Sequence, residues 1–384
     1  MPETITDPFA DIDPFSAVTH PDPYPYYREL AATRPFFREQ RLGLWIAAGS
    51  SEVAAVLAHP DCRVRPPAQP VPPALAGTAA GDLFGRLIRM NDGAAHAPLK
   101  ALLMPMLAAV APGVAAQKAA AMAQVLDAGE GAHVAMPAAS VNRWLFALPV
   151  VTVAAVLGLP VARDHGTAVE VAQQVAAFAA AQSPLADADT VRAGAEAARW
   201  LGTWLASSLA SSVAADGPLS ALQHAAQAAG IDAQAVAANI IGLLVQACEA
   251  TAGLAGNTLL WLGRNPSASG MPLQGVVARV AQDDPPVQNT RRFLAADTQL
   301  CGHAVKAGDT VLVLLAAAST SGLADDARAW TFGQGRHACP GDRLAQALAG
   351  ATVAALCARG ADPAALARAF RYRPSQNARI PHFL

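Results

Sequence analysis

The amino-acid sequence predicts a mainly α-helical single domain with a small β region. Helical patterns dominate from about residue 83 to 282, short β-prone runs bounded by turns fall between 290 and 315, and a last long helix follows a glycine-punctuated loop near the C-terminus. That order fits a helical body carrying a minor sheet.

Taken from the N-terminus, residues 22–33, rich in Pro and Tyr, read as a turn entering a short helix. Residues 42–48 read as a strand and 51–58 as a helix capped by Ser50 or Ser51, whose hydroxyls suit the orphan N–H groups of a helix start. The stretch 63–80 is dominated by Pro, Ala and Gly and reads as a loop. The helical region is interrupted near Pro112, at 129–137, at 164–167, at Gly217 and at 230–232, and 237–261 forms one long helix across the molecule. Strands return at Arg292–Phe293, 299–301 and 310–315, with turns at Gly302 and Gly308-Asp309, and the last helix covers 340–359.

The chain has 384 residues, 53% of them hydrophobic, and a formal net charge of −2. A near-neutral balance leaves no electrostatic footprint for nucleic acid or an anionic membrane. Five cysteines without paired spacing point to a reducing compartment. The acidic, Pro-containing N-terminus lacks the basic and apolar regions of a signal peptide. Residues 144–162 carry no charge between Arg143 and Arg163, but Pro149, Thr152, Gly158 and Pro160 leave room only for a short unbroken helix over about 150–157. A buried core helix is expected there, and a cytoplasmic chain with no membrane or nucleic-acid partner.

The most informative stretch is Phe332-Gly-Gln-Gly-Arg-His-Ala-Cys-Pro-Gly341. Gly333, Gly335 and Gly341 permit close backbone approach to a flat cofactor and φ values closed to other residues. Pro340 suits a first helical position. Cys339 would then stand at a helix N-terminus, where the dipole favours a thiolate. Cys62, Cys301 and Cys357 have no such setting and read as ordinary core cysteines.

This loop resembles the haem-binding loop of the cytochrome P450 family, F-G-x-G-x-H/R-x-C-x-G, with every fixed position filled. The resemblance extends over nearly the whole chain and implies a P450-like single-domain fold over 1–384, a triangular prism with a long central helix over haem b, and Cys339 as the axial iron ligand. It implies that Phe332, Gly333 and Gly341 shape the cofactor loop. His96 and Lys100, four apart on one helix face, match the family's H-x-x-x-R with Lys for Arg. With Arg292, which ends Pro285-Pro-Val-Gln-Asn-Thr-Arg-Arg292, and His337, they would hold the haem propionates. In the central helix, Gln246-Ala-Cys-Glu-Ala-Thr251 is similar to the family's oxygen-activation stretch. Glu249 fills the acid position, Ala250 replaces the alcohol, Gln246 is bulkier than the usual small residue, and Thr251 is turned by about 100° from the vacated place. These four are the candidate catalytic positions.

Two departures accompany these matches. Where the family has E-x-x-R, this chain has Arg279-Val-Ala-Gln282, and only Arg328 stands near the position of the downstream arginine. Concerted loss is consistent with a remodelled ion-pair network, because stripping one partner from a buried network costs about 3–5 kcal/mol whereas replacing all of it can be neutral. The resemblance implies a haem-thiolate oxidoreductase. It would be a monooxygenase or catalyse an atypical reaction such as peroxide use, on a small-to-medium apolar molecule of the secondary-metabolite kind, with electrons from a ferredoxin-type donor. The competing reading is a P450-like accessory protein with little or no catalysis of its own.

Overall fold

A computed structural model describes residues 12–129, 135–211, 217–268, 270–320 and 329–384. The N-terminal part packs helix α1 (Tyr24–Thr33) and hairpin β1 (Phe36–Glu39) and β2 (Leu44–Ala47) beside α2 (Ser50–Ala58) and the short β3 (Cys62–Arg63). Strand β1 lay outside the sequence expectation, and α2 starts at Ser50 after Gly49 without a side-chain cap. Helices α3 (Ala79–Arg86), α4 (Ala97–Ala108), α5 (Pro112–Asp127), α6 (Ala138–Val156), α7 (His165–Ala181), α8 (Ala188–Ser211) and α9 (Pro218–Ala228) follow. Pro98 is tolerated because it falls in the first turn of α4, and Pro112 opens α5 for the same reason.

Helix α10 (Ala233–Arg264) is the longest and occupies the centre. Asp232 caps it by accepting the Ala235 amide at 3.1 Å. It packs on α6 and, further along the chain, on α13 (Asp342–Ala358) and α14 (Pro363–Arg368), which follow α11 (Leu273–Asp283) and α12 (Leu315–Ser319). Close approach is made possible by glycine: a Cβ on Gly256 would lie 2.5 Å from the Pro381 ring, and one on Gly263 would lie 2.1 Å from the Pro363 carbonyl.

The main sheet also takes β4 (Thr290–Leu294) and β7 (Thr310–Val313), while β5 (Thr298–Leu300) and β6 (His303–Val305) form a separate hairpin. Its order is β1-β2-β7-β4-β3, antiparallel except for the β2–β7 pair. Strands β8 (Phe370–Tyr372) and β9 (Pro381–Phe383) close the chain as a second hairpin. The result is the mainly α, minor β single-domain architecture that the sequence predicts.

The expectation of a cytoplasmic chain without membrane contact is overturned by two helices. Among the described residues, Ala138–Val156 and Ala233–Arg264 are each long and apolar enough to cross a bilayer, with mean hydropathy 1.5 over an 18-residue stretch of which 67% is buried in the fold. The short helix expected over about 150–157 is part of a longer one. The helix instead runs through Pro149, and Thr152 returns its hydroxyl to the Leu148 carbonyl at 2.6 Å, so neither residue interrupts an apolar helix of 19 residues.

Candidate active site

The cysteine loop is built by backbone. Gly333 (φ 63°) and Gly335 (φ 66°) adopt left-handed conformations, and a Cβ on Gly335 would come within 3.3 Å of the Leu57 carbonyl of α2. The Cys339 amide donates to the Phe332 carbonyl at 2.8 Å and closes the loop, with Phe332 packed on the main core. Helix α13 starts at Asp342, two residues later than expected. Pro340 therefore precedes the cap instead of opening the helix, and Gly341 is the N-cap with an ordinary φ of −113°, so its role is not conformational. Cys339 is half-buried just ahead of this helix N-terminus.

Side chains then clamp the loop from two directions. Arg336 donates to the carbonyls of His59 (3.0 Å) and Cys62 (2.6 Å) and to Asp92 (3.2 Å). Lys100, on α4, donates its Nζ to the Arg336 carbonyl and, at 3.0 Å, to the Ala338 carbonyl. Asp92 accepts the Val64 amide at 3.0 Å and pairs with His337 Nε2 at 2.9 Å. Burial raises the Asp92 carboxyl, but hydrogen bonds from His337, the Val64 amide and Arg336 outweigh it and hold the group well below the usual carboxylate range.

The His96 ring lies tilted against the His337 ring, with centroids 4.4 Å apart. It is buried and pushed down to about 4 by desolvation and by the neighbouring His337 and Lys100, so its imidazole is neutral near pH 7. Arg292, on β4, is 6% exposed. Its Nη1 donates to the Arg291 carbonyl (2.8 Å) and to Thr290 Oγ1 (3.3 Å), while its Nε is buried with no hydrogen-bond partner among the described residues. Desolvation, with Arg336 nearby, pushes it down to about 10, still a cation near pH 7.

The structure thus brings together His96, Lys100, Arg292 and His337 and adds Arg336 and Asp92, which sequence reasoning did not single out. The visible signal for Asp92 was an acid four residues ahead of a candidate ligand, in the turn Asn91-Asp-Gly93.

On α10, Gln246 and Glu249 present free surface on one face, although the helix is central. Burial nevertheless raises the Glu249 carboxyl, opposed by Arg373 and Arg89. Free surface around a desolvated group marks an internal space against the middle of α10. Ala250 is half-buried beside it, and Thr251 is 2% exposed, packed away from that face. Arg89, in the turn Ile88–Met90, is a further polar side chain of this region that the sequence did not flag.

The lost motif has a structural counterpart. Gln282 is exposed, and Arg279 pairs at 3.1 Å with Asp283 at the surface, so neither position carries a buried unpaired charge. Arg328 lies outside the described residues. The buried ion pair on this side is Arg379–Asp284 at 2.8 Å, with Tyr24 Oη donating to the same carboxylate at 2.5 Å.

No family model matches the sequence, and no curated protein matches it. Solved structures do match in fold. CalO2 superposes with a TM-score of 0.70 at 22% identity over 97% of this chain and 98% of its own. P450BioI, solved with acyl carrier protein ligated to hexadec-9Z-enoic acid, gives 0.72 at 19% identity over 94% and 98%. The Tepidiphilus thermophilus P450 haem domain gives 0.72 at 17% over 97% and 95%. The chain therefore has a cytochrome P450-like fold, in agreement with the architecture built above.

Proposed function

We propose that the protein is a haem-thiolate oxidoreductase acting on a small-to-medium, largely apolar molecule, with Cys339 as the iron ligand. The observation that carries this reading is the charge imbalance beside the cysteine loop. Lys100, Arg292 and Arg336 stand by the loop with one carboxylate, Asp92, which Arg336 and His337 contact, beside the neutral His96, and among the described residues a buried Arg292 Nε lacks a partner. A buried guanidinium edge without an acceptor is costly, and the two carboxylates of a haem would satisfy it. Phe332, Gly333 and Gly341 would frame the cofactor, and Arg292, His96 and His337 would receive its propionates. When bound, haem would supply redox chemistry at iron, tuned by the thiolate.

The remaining steps belong to this chain. Lys100 holds the loop carbonyls of residues 336 and 338, and Arg336 ties the loop to the carbonyls of His59 and Cys62, so that the Cys339 sulfur would be held against movement just ahead of the α13 N-terminus, whose dipole favours a thiolate. Glu249, desolvated and raised, holds a proton more readily than a surface carboxylate and would deliver it from its Oε atoms. Ala250 offers no hydroxyl, so Gln246, one turn earlier on the same face, would orient the water that receives this proton.

The test is the spectrum of the dithionite-reduced, carbon monoxide-bound protein, with haem content measured separately. A thiolate-type Soret band in the wild type that disappears in Cys339→Ala supports the reading. A wild type that carries no haem, or a band indifferent to Cys339→Ala, overturns it in favour of an accessory protein. Turnover with a reductant and then with peroxide separates the enzymatic variants.

A further inference from the structure

Among the described residues outside the cysteine-loop cluster, Arg89 and Arg359 each have a buried Nε without a hydrogen-bond partner, but Arg359 pairs with Asp127 at 3.2 Å whereas the Nη2 of Arg89 is held by Oε1 of Gln182, the residue that caps the C-terminus of α7. Gln182 is itself steadied by donating Nε2 to the Phe178 carbonyl at 3.2 Å. The turn carrying Arg89 is rigid. Asn239 of α10 accepts the Ile88 amide at 2.8 Å and donates to the Arg86 carbonyl at 2.8 Å, and Asn91 donates to the carbonyls of Gly85 and Leu87, each at 2.8 Å. The side chain so positioned lies within electrostatic range of Glu249, whose free surface marks the internal space against α10. Among the described residues, Arg89 forms no ion pair within 4.0 Å, with Glu249 or any other acid.

A desolvated guanidinium held only by a neutral amide is a costly arrangement unless an anion joins it. Burial pushes Arg89 down to about 10, so it keeps its charge near pH 7. Arg373 and Arg89 both act electrostatically on Glu249, Arg89 from the turn Ile88–Met90, and any negative charge on Glu249 repels a doubly charged group more than a singly charged one. A planar fork facing a single negative charge suits a carboxylate better than a phosphate.

We infer that Arg89, positioned by Gln182 and Asn239, binds the carboxylate of an amphipathic acid whose apolar body lies along α10, so that the substrate class is carboxylic acids. This deepens the proposed function, and it rests on that reading for the identity of the cavity as a substrate site. Arg89 is here a binding residue that fixes orientation and specificity.

The experiment is isothermal titration calorimetry of the full chain with decanoate, dodecanoate and tetradecanoate. Each acid is paired with its primary alcohol, and dodecyl phosphate is included as a competitor. Haem content is assayed on the same samples, so the calorimetric contrast decides the anion site and the pigment decides the haem reading. In the wild type the acid should bind roughly 10- to 100-fold more tightly than the alcohol, as expected for one charge-assisted contact. Arg89→Gln should erase that preference while leaving alcohol binding intact, and Arg89→Lys should retain part of it. If Arg89→Gln fails to fold, Glu249→Gln compared with wild type at a pH alkaline enough to ionise Glu249 gives the opposite sign, since removing a nearby negative charge should then tighten acid binding severalfold and leave the alcohol unchanged. A wild type that binds acid and alcohol equally, or prefers the phosphate, overturns the inference. So does an acid preference that survives Arg89→Gln or is unmoved by Glu249→Gln.

Discussion

Arg379 is the residue whose removal should cost most stability away from the cysteine loop. Its side chain is 1% exposed, pairs with Asp284 at 2.8 Å, stacks at 3.7 Å over the Tyr372 ring, and donates to the carbonyls of Val18 (3.1 Å), His20 (2.6 Å) and Pro21 (3.0 Å). It therefore ties the N-terminal segment and the C-cap of α11 to the chain just before β9. Arg379→Met would keep some of the stacking but leave Asp284 with Tyr24 as its remaining side-chain donor and strand three carbonyls. Breaking a buried pair costs about 3–5 kcal/mol. Asp284 is 20% exposed and can recruit water, which places the expected loss near the lower end, at about 3 kcal/mol. With an m-value of about 3 kcal/mol/M, the urea midpoint should fall by about 1 M. Asp284→Asn should cost a comparable amount, because it leaves the guanidinium buried without its counter-charge. The decisive measurement is the double-mutant cycle. Arg379→Met with Asp284→Asn should be no worse than the poorer single variant by more than about 1 kcal/mol, a coupling of about 2 kcal/mol. Additive losses, or single variants within about 0.5 kcal/mol of wild type, would show that the pair does not hold these segments together.

Two further outcomes follow from individual hydrogen bonds. Asn239→Ala removes the acceptor for Ile88 N and the donor to Arg86 O, so hydrogen exchange of residues 86–91 should accelerate and stability should fall by about 1–3 kcal/mol; unchanged exchange in that turn would remove the reason Arg89 is held in place. Asp309 gives a pH dependence. Burial raises its carboxyl, but the Lys306 amide, Trp45 Nε1 and Arg38 lower it further, so its folded value lies below the ordinary 3.8. A depressed carboxylate contributes stability that is fully present above the unfolded value and is lost as pH falls through the folded one. Wild-type stability, read from tryptophan fluorescence during urea unfolding, should therefore decline as pH drops below about 4, and Asp309→Asn should be weaker at neutral pH but flatter across that acid range. Parallel profiles for the two proteins would contradict the assignment.

The helical body and the loop around Cys339 were readable in sequence because local rules decide them. Gly333 and Gly335 occupy left-handed turns, Pro98 lies in a first helical turn, and the break near Pro112 is where α5 opens; the central helix, expected over 237–261, starts earlier, at Ala233, where Asp232 caps it. What escaped was set by partners far away in the chain. Strand β1 exists because β2 pairs with it, and the C-terminal hairpin because β9 rests against Gly256. Arg89 reads as one more surface arginine until the fold places Gln182 and Glu249 near it. Pro149 misled in the other direction: helix breaking is a local tendency, and packing on both sides carried α6 through it.

The basic residues near Cys339 divide by what they already hold, and this limits what each can do for a cofactor. Arg336 is committed to Asp92 and to the carbonyls of His59 and Cys62, and Lys100 donates to carbonyls of the loop itself, so both act on the position of the cysteine. An arginine in place of Lys100 would present a wide planar fork where a compact ammonium now fits between the carbonyls of residues 336 and 338. His337 is engaged by Asp92, and His96 is neutral and can offer a hydrogen bond but no charge. Arg292 alone among these arginines keeps a buried N–H with no acceptor. Anion recognition at this cluster should consequently depend on Arg292 more steeply than on the other four, while the rigidity of the loop depends on Lys100 and Arg336.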